Sequence, residues 1–391
     1  MTTKIGPVQL ESPFVISPMA GMTDTAFRRL VKRQGGCGLV VSEMVSSEGL
    51  IRGIDRTLEY AEYTEEERPV SIQIFGGDPA KMAEAARVVE QMGANIVDVN
   101  MGCPVPKIAK HNAGCSLMRE PAHAAGIISA MSKAVKIPVT VKMRKGWDDD
   151  ELNAGDLAKR VEDAGARAIA IHGRTAKQSY SGTADWDFVS EIARTVTIPV
   201  FGSGDCIEPE DIVNRMNSGV SGVYVGRGVL RNPWILAQAR DLMAGRQART
   251  ITHEDRGQFL LDYVELLLAE NAGDGPMGQW ANGPMGEGAN RLMGQWADGP
   301  MGQEAKGRRG QGANGLTGQW AGPSGQGANL AVAVGRERWV INKIRALCSW
   351  YTKGFEGGAQ FRIGVNTCKS ISELRDLIEQ FFMLRAVGPS A

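Results

Sequence analysis

The chain has 391 residues, enough for one large catalytic domain and a smaller second one. Hydrophobic residues make up 43% of it, which allows a sizeable core, yet no stretch approaches the ~20 consecutive apolar residues that a membrane span requires. Lysine plus arginine equals aspartate plus glutamate at 44 each, so any nucleic-acid partner must be held by a local basic patch rather than by a global field.

The N-terminal run Met1-Thr2-Thr3-Lys4-Ile5-Gly6-Pro7 lacks the apolar core of a signal peptide. The six cysteines (Cys37, Cys103, Cys115, Cys206, Cys348 and Cys368) include no CxxC pair and no zinc-like spacing. A reduced, soluble, cytoplasmic protein without a metal site is the expectation.

From Pro13 to about Ala244, short β-branched runs alternate with amphipathic helical stretches such as Asp78 to Gln91 and Asp187 to Thr195. The candidate strands end in turn at Pro18-Met19, Val41-Ser42-Glu43, Ile72-Gln73-Ile74, Val97-Asp98-Val99-Asn100, Val139-Thr140-Val141-Lys142, Ile169-Ala170-Ile171-His172, Val200-Phe201-Gly202-Ser203 and Val223-Tyr224-Val225-Gly226. Short apolar strands separated by helices indicate a parallel sheet. Eight such units match a closed (β/α)8 TIM barrel, an α/β fold, over residues 1–244; an open doubly wound sheet is the weaker reading, since none of the eight units carries a GxGxxG turn. Glu43, Gln73, Asn100, Lys142, His172 and Ser203 fall at or just past strand ends, and in a barrel these positions converge on one mouth.

Residues 245–391 read as a small all-helical C-terminal domain, with apolar residues at helical spacing in Glu254 to Glu270 and Ser370 to Leu384. Arg338, Lys343, Arg345, Lys353, Arg362 and Lys369 give its last part a modest positive excess. Its middle, 271–332, is different in kind. Gly278-Gln279-Trp280-Ala281 recurs at Gly294 and Gly318, and Pro276-Met277-Gly278 at Pro284 and Pro300, the pattern of an expanded short repeat. Glycine at this density makes ordering costly in entropy, so a disordered insertion without secondary structure is expected.

The strand-end chemistry is specific. Asp98-Val99-Asn100-Met101-Gly102-Cys103-Pro104 puts a cysteine in a tight turn above the barrel. No histidine lies at a spacing that suggests a thiolate pair, which favours a proton donor over a covalent nucleophile. Lys142 places an ammonium among the strand ends, and His172 and Arg174 add donors further round. Gly202-Ser203-Gly204-Asp205 and Gly226-Arg227-Gly228 close strands seven and eight, the usual phosphate cradle of this fold, because glycine lets bare amides approach an anion. A phosphate-bearing cofactor, a lysine and a glutamine near its reactive ring, and a cysteine acid opposite describe flavin mononucleotide (FMN) best.

Pro18-Met19-Ala20-Gly21-Met22-Thr23-Asp24, Ser42-Glu43-Met44, Asn100-Met101-Gly102-Cys103-Pro104, Val141-Lys142-Met143-Arg144 with Gly146-Trp147, Ile171-His172-Gly173-Arg174-Thr175, Ser203-Gly204-Asp205 and Val225-Gly226-Arg227-Gly228 resemble, in order, the signatures of the tRNA-dihydrouridine synthases. Ser349-Trp350-Tyr351-Thr352-Lys353-Gly354 resembles the C-terminal helical segment of that family's bacterial B-type branch. The resemblance implies that FMN binds with Pro18, Met19 and Ala20 beside its ring, Gln73 and Lys142 in contact and His172 nearby, while Ser203, Gly204, Asp205, Gly226 and Arg227 hold the phosphate end. It further implies reduction of the flavin by NADPH or NADH, hydride delivery to C6 of a tRNA uridine, protonation of C5 by Cys103, and a helical domain that grips the tRNA. Ser203 stands where the family more often has asparagine, Arg345-Ala346-Leu347 replaces a more basic stretch, and the repeat insertion interrupts the helical domain. Two rival readings are an FMN barrel acting on a free pyrimidine, as the dihydroorotate dehydrogenases do, and a non-catalytic tRNA-binding protein on a decayed barrel.

Overall fold

Short, nearly continuous apolar runs along the strands decide the architecture, because a closed parallel sheet must bury both faces. In the computed structural model the described residues are 3–105, 108, 112–270 and 325–383, with the backbone only for Arg56 and 325–334. Eight parallel strands close into the expected barrel in the order β3 (Phe14–Ile16), β4 (Leu39–Val41), β6 (Val70–Phe75), β7 (Ile96–Met101), β8 (Val139–Arg144), β9 (Ala168–His172), β10 (Val200–Ser203) and β11 (Gly222–Val225), and β11 returns to pair with β3. A two-residue strand, β5 (Val45–Ser46), runs beside the upper end of β6.

Each strand splits its side chains between two cores. Outward residues such as Val97, Val99, Val141 and Ile169 join the large cluster beneath the surrounding helices. Inward residues Val15, Leu39, Val41, Ile96, Ala168, Ala170, Phe201 and Tyr224 fill the lower barrel. A hairpin absent from the sequence expectations, β1 (Thr3–Ile5) with β2 (Val8–Leu10), plugs the bottom by adding Ile5 and Leu10 to that inner cluster. The interior is thereby apolar below and polar above, so only the C-terminal ends of the strands are left open for chemistry.

Helices at Thr25–Gln34, Pro79–Gln91, Pro121–Ala134, Ala154–Asp163, Trp186–Ala193, Pro209–Met216 and Ile235–Met243 surround the barrel. Side-chain caps define several starts: Asp24 accepts from the Phe27 amide, Asp78 from Lys81 and Asp185 from Phe188. The chain then forms helices at His253–Ala269, Gly325–Tyr351, Gly358–Thr367 and Ile371–Phe382, which pack on one another and against Thr25–Gln34. Their core combines aliphatic side chains with an aromatic cluster, in which Phe382 contacts Tyr351, Phe361 and Phe381.

One expectation needs correction. Residues 325–332, at the end of the stretch expected to lack secondary structure, open the helix Gly325–Tyr351. Ala328, Leu330, Ala331 and Ala333 are good helix formers, and they outweigh the scattered glycines. The rest of the repeat insertion, 271–324, lies outside the described residues. Among the described residues no helix is long and apolar enough to cross a membrane.

Candidate active site at the barrel mouth

Parallel register brings alternate polar residues of neighbouring strands side by side. Gln73 on β6 stands opposite Asp98 on β7, Asp98 opposite Thr140 on β8, and Asn100 opposite Lys142. The resulting ladder is closely bonded: Thr140 Oγ1 donates to Asp98 Oδ1 at 2.6 Å, Gln73 Nε2 to Asp98 Oδ2 at 2.7 Å, and Asn100 Nδ2 to Gln73 Oε1 at 2.8 Å. Burial pushes the Asp98 carboxyl up to about 6, against the pull of Thr140, Gln73 and Lys142.

Above this ladder opens a cavity of about 710 Å³. All twelve residues singled out by sequence line it: Pro18, Met19, Ala20, Gln73, Cys103, Lys142, His172, Ser203, Gly204, Asp205, Gly226 and Arg227. Of the six strand-end residues, Glu43 is the exception. It is buried and its Oε2 accepts from the Gly21 amide at 2.5 Å, so it supports from behind the loop that forms part of the cavity wall. Arg174 is likewise not a lining donor. Its guanidinium is buried against the Ser181 and Gly182 carbonyls and both carboxylate oxygens of Asp205.

Cys103 is partly exposed, whereas the other five cysteines are buried. Its loop is fixed from two sides. Asn100 Oδ1 accepts from the Cys103 and Gly102 amides at 2.9 and 3.2 Å, and Arg144 Nε donates to the Gly102 carbonyl at 2.8 Å. The thiol is therefore presented on a loop with little freedom to turn away.

Two basic side chains in the cavity keep a nitrogen without a hydrogen-bond partner among the described residues. The Lys142 ammonium makes no hydrogen bond among the described residues, and Nζ lies 5.9 Å from the Tyr224 ring centroid. Burial, helped by the nearby Arg144 charge, brings its pKa down to about 8, with Asp98 opposing. His172 contacts Ser203 Oγ through Nδ1 at 3.4 Å, but its buried Nε2 has no partner. Burial and then the charges of Lys142, Arg144, Arg174 and Arg227 depress its pKa to about 2, so the imidazole is neutral.

The β10 and β11 ends are built of small residues. Gly204 has φ +128, and a Cβ there would lie 2.4 Å from the Ala184 methyl and 3.3 Å from His172 Cε1. Only glycine fits that turn. Arg227 stacks on Tyr180 at 4.8 Å, and its guanidinium is 3.5 Å from Asp205. Burial resists ionisation of Asp205, but the Ala184 amide, Arg174 and Arg227 hold its pKa below the usual carboxylate range.

Several lining residues were given no site role by the sequence, notably Arg144, Tyr180, Tyr224 and Trp350. Arg144 and Tyr224 carried a usable signal, since Arg144 is two residues beyond Lys142 on its strand and Tyr224 two before Gly226, just past the end of its own, which puts each on the inner face. Trp350 carried only its place in the C-terminal motif, and a position on a helix gives no strand end from which a cavity role could be read. Among the described residues no group of three or more His, Cys, Asp or Glu is placed to hold a metal ion.

The family described as dihydrouridine synthase (Dus) matches residues 15–277. Over 273 residues the chain is 42% identical to a protein of Rhodobacter capsulatus named probable tRNA-dihydrouridine synthase, covering 69% of this chain and 84% of that one. It is 41% identical over 276 residues to a protein of Rickettsia bellii with the same name, at 69% and 84% coverage. With tRNA-dihydrouridine synthase B of Pseudomonas aeruginosa it shares 42% over 236 residues, at 60% and 71%.

Proposed function

The chain belongs to the dihydrouridine synthase family, and from that premise we propose that it reduces uridines in tRNA to 5,6-dihydrouridine, using FMN and NADPH or NADH in the cytoplasm. The supporting observation is the convergence of the twelve residues on one cavity whose Lys142 ammonium has no hydrogen-bond partner among the described residues and whose partly exposed cysteine is Cys103.

The donor set fits FMN. Pro18, Met19 and Ala20 offer an apolar wall for a flat ring, Lys142 and the orphaned His172 Nε2 offer groups for its polar edge, and Ser203, Gly204, Gly226 and Arg227 offer small residues and a cation for a phosphate. Gln73 has an amide proton and a lone pair left after its bonds to Asp98 and Asn100, so it can make one more contact of each kind. Asp205, with both oxygens engaged, is assigned to orienting Arg227 rather than to touching an anion, which would repel it.

When bound, FMN would supply a hydride to C6 of the uracil ring. That addition leaves negative charge spread over C5 and the C4 carbonyl, and a proton must arrive at C5. Cys103 is assigned that proton transfer, with Asn100 and Arg144 holding its loop so that the thiol faces the cavity. The cavity excludes a base still in its stack, so the target nucleotide must be extruded at a cost of a few kcal/mol. The C-terminal helices, with Arg338, Lys353, Arg362 and Lys369, are assigned to offset that cost by holding the tRNA's shape and phosphates.

The test has two parts. The purified protein should be yellow or take up FMN, and tRNA from a deletion strain should lose dihydrouridine that an intact copy restores. FMN uptake with unchanged tRNA and turnover of a free pyrimidine would support the dihydroorotate dehydrogenase-like rival. A protein that never takes up FMN would support a non-catalytic binder.

A further inference from the structure

The cavity wall formed by Pro18, Met19, Ala20 and Met22 is a loop, and a loop holds a shape only where something fastens it. Part of the fastening is internal: Thr23 Oγ1 accepts from the Met19 amide at 3.0 Å, and the Met22 and Thr23 amides donate to the Met19 carbonyl. The tip residue, Gly21, lies at φ +78 with no atom within 4 Å of where a Cβ would sit, so packing does not pin it.

What pins it is a pair of polar contacts from different parts of the chain. On the barrel side, Glu43 Oε2 accepts from the Gly21 amide. On the other, Lys343 on the helix Gly325–Tyr351 donates to the Gly21 carbonyl at 3.3 Å and pairs with Asp24 Oδ2 at 2.9 Å. Tyr263, on the helix His253–Ala269, donates to the same Asp24 oxygen at 2.8 Å. Asp24 also caps the helix that follows the loop. Lys343 and Asp24 are both largely enclosed, at 16% and 14% side-chain exposure, so solvent replaces their contact poorly. Seven residues further along the Lys343 helix, and so on the same face, Trp350 lines the cavity itself.

We propose that the cofactor cavity is shared between barrel and C-terminal helices, with Lys343 as the positioning residue that clasps the Pro18–Met22 wall and Trp350 as part of the lining. The helices then do more than hold nucleic acid: whatever displaces the Lys343 helix also loosens the cavity wall. The burden on Lys343 is electrostatic as well as steric. It lies between Asp24 and Glu43, and those two carboxylates keep its pKa above the ordinary lysine value despite burial. This rests on the FMN reading of the cavity, and the test separates the two.

Full-length wild type, Lys343→Met and Lys343→Arg are stripped of flavin, and FMN affinity is measured by fluorescence quenching. Hydrogen exchange of the Gly21 to Thr23 amides is followed in the flavin-free proteins. Expected are FMN binding roughly tenfold weaker in Lys343→Met, recovery to within about twofold in Lys343→Arg, and faster exchange confined to the loop in Lys343→Met. Affinity for tRNA at saturating FMN should not change, since an enclosed ammonium is not a phosphate contact. Lys343→Gln replaces the methionine variant if that one does not fold. Equal FMN affinity in wild type and variant overturns the proposal. A wild type that takes up no FMN removes the flavin reading instead; the clasp is then judged by exchange, and unchanged exchange overturns it.

Discussion

The barrel and the C-terminal helices meet the same problem, burying polar groups near a working cavity, and meet it in opposite ways. In the barrel, polar side chains stand in ranks fixed by the sheet register, and Gln73, Asp98, Asn100 and Thr140 satisfy one another inside the ring. In the helices, the interior is almost wholly apolar and aromatic, and polar contacts such as Lys343–Asp24 and Tyr263–Asp24 are placed at the seam with the barrel. A closed sheet dictates where its inward residues go. A helix face is assigned only by how it docks.

The largest test of this difference is Cys103→Ala. If the barrel mouth supplies the chemistry, turnover on tRNA should fall about 10³-fold, within the range for a lost general acid, with FMN still bound. The measurement is single-turnover formation of dihydrouridine, and near-normal turnover would remove the acid role. No change in the helical region should match that loss with the protein still folded.

A smaller effect is expected from Phe382→Ala. Phe382 is fully buried among Phe361, Phe381 and Tyr351, and truncation there should cost about 3 kcal/mol of stability through the cavity it leaves. Denaturant unfolding should show the lowered midpoint, while FMN affinity in the absence of denaturant stays close to wild type because Lys343 and Trp350 lie on another helix. Loss of FMN binding at full native signal would show the helical core to be coupled to the mouth more tightly than the clasp alone allows.

The same contrast explains what was legible in the sequence. Strand alternation and turn chemistry gave the eight barrel units and placed Gln73, Cys103, Lys142 and His172 at one rim, because position along a strand fixes both face and end. It did not reveal that Glu43 and Arg174 turn their charges to backbone and to Asp205, since pairing depends on loop paths that no spacing encodes. The β1–β2 hairpin was missed because six residues of strand carry too little periodicity to register. Lys343 read as one basic residue among several; only the docked helix brings it to Asp24 and Gly21.

The smallest predicted effect concerns Lys142 and has a sign that discriminates. Its ammonium is held at about 8 in the folded protein, by burial and by Arg144, against about 10.4 when unfolded. Below about pH 8 it is charged in the free protein and can donate a charged hydrogen bond to the ring's polar edge; above, it is neutral. FMN affinity should therefore be level up to about pH 8 and fall above it, by at most about tenfold per pH unit. A phosphate monoester titrates near pH 6, too low to produce that break. Stability should move the other way. Between the folded and unfolded pKa values the unfolded chain binds more protons at this site, so the Lys142 contribution to stability rises with pH across the same window. Affinity falling while this contribution rises identifies the lysine; Lys142→Arg, which stays charged, should flatten both profiles. A break that survives in Lys142→Arg would assign it to another group and remove Lys142 as its cause.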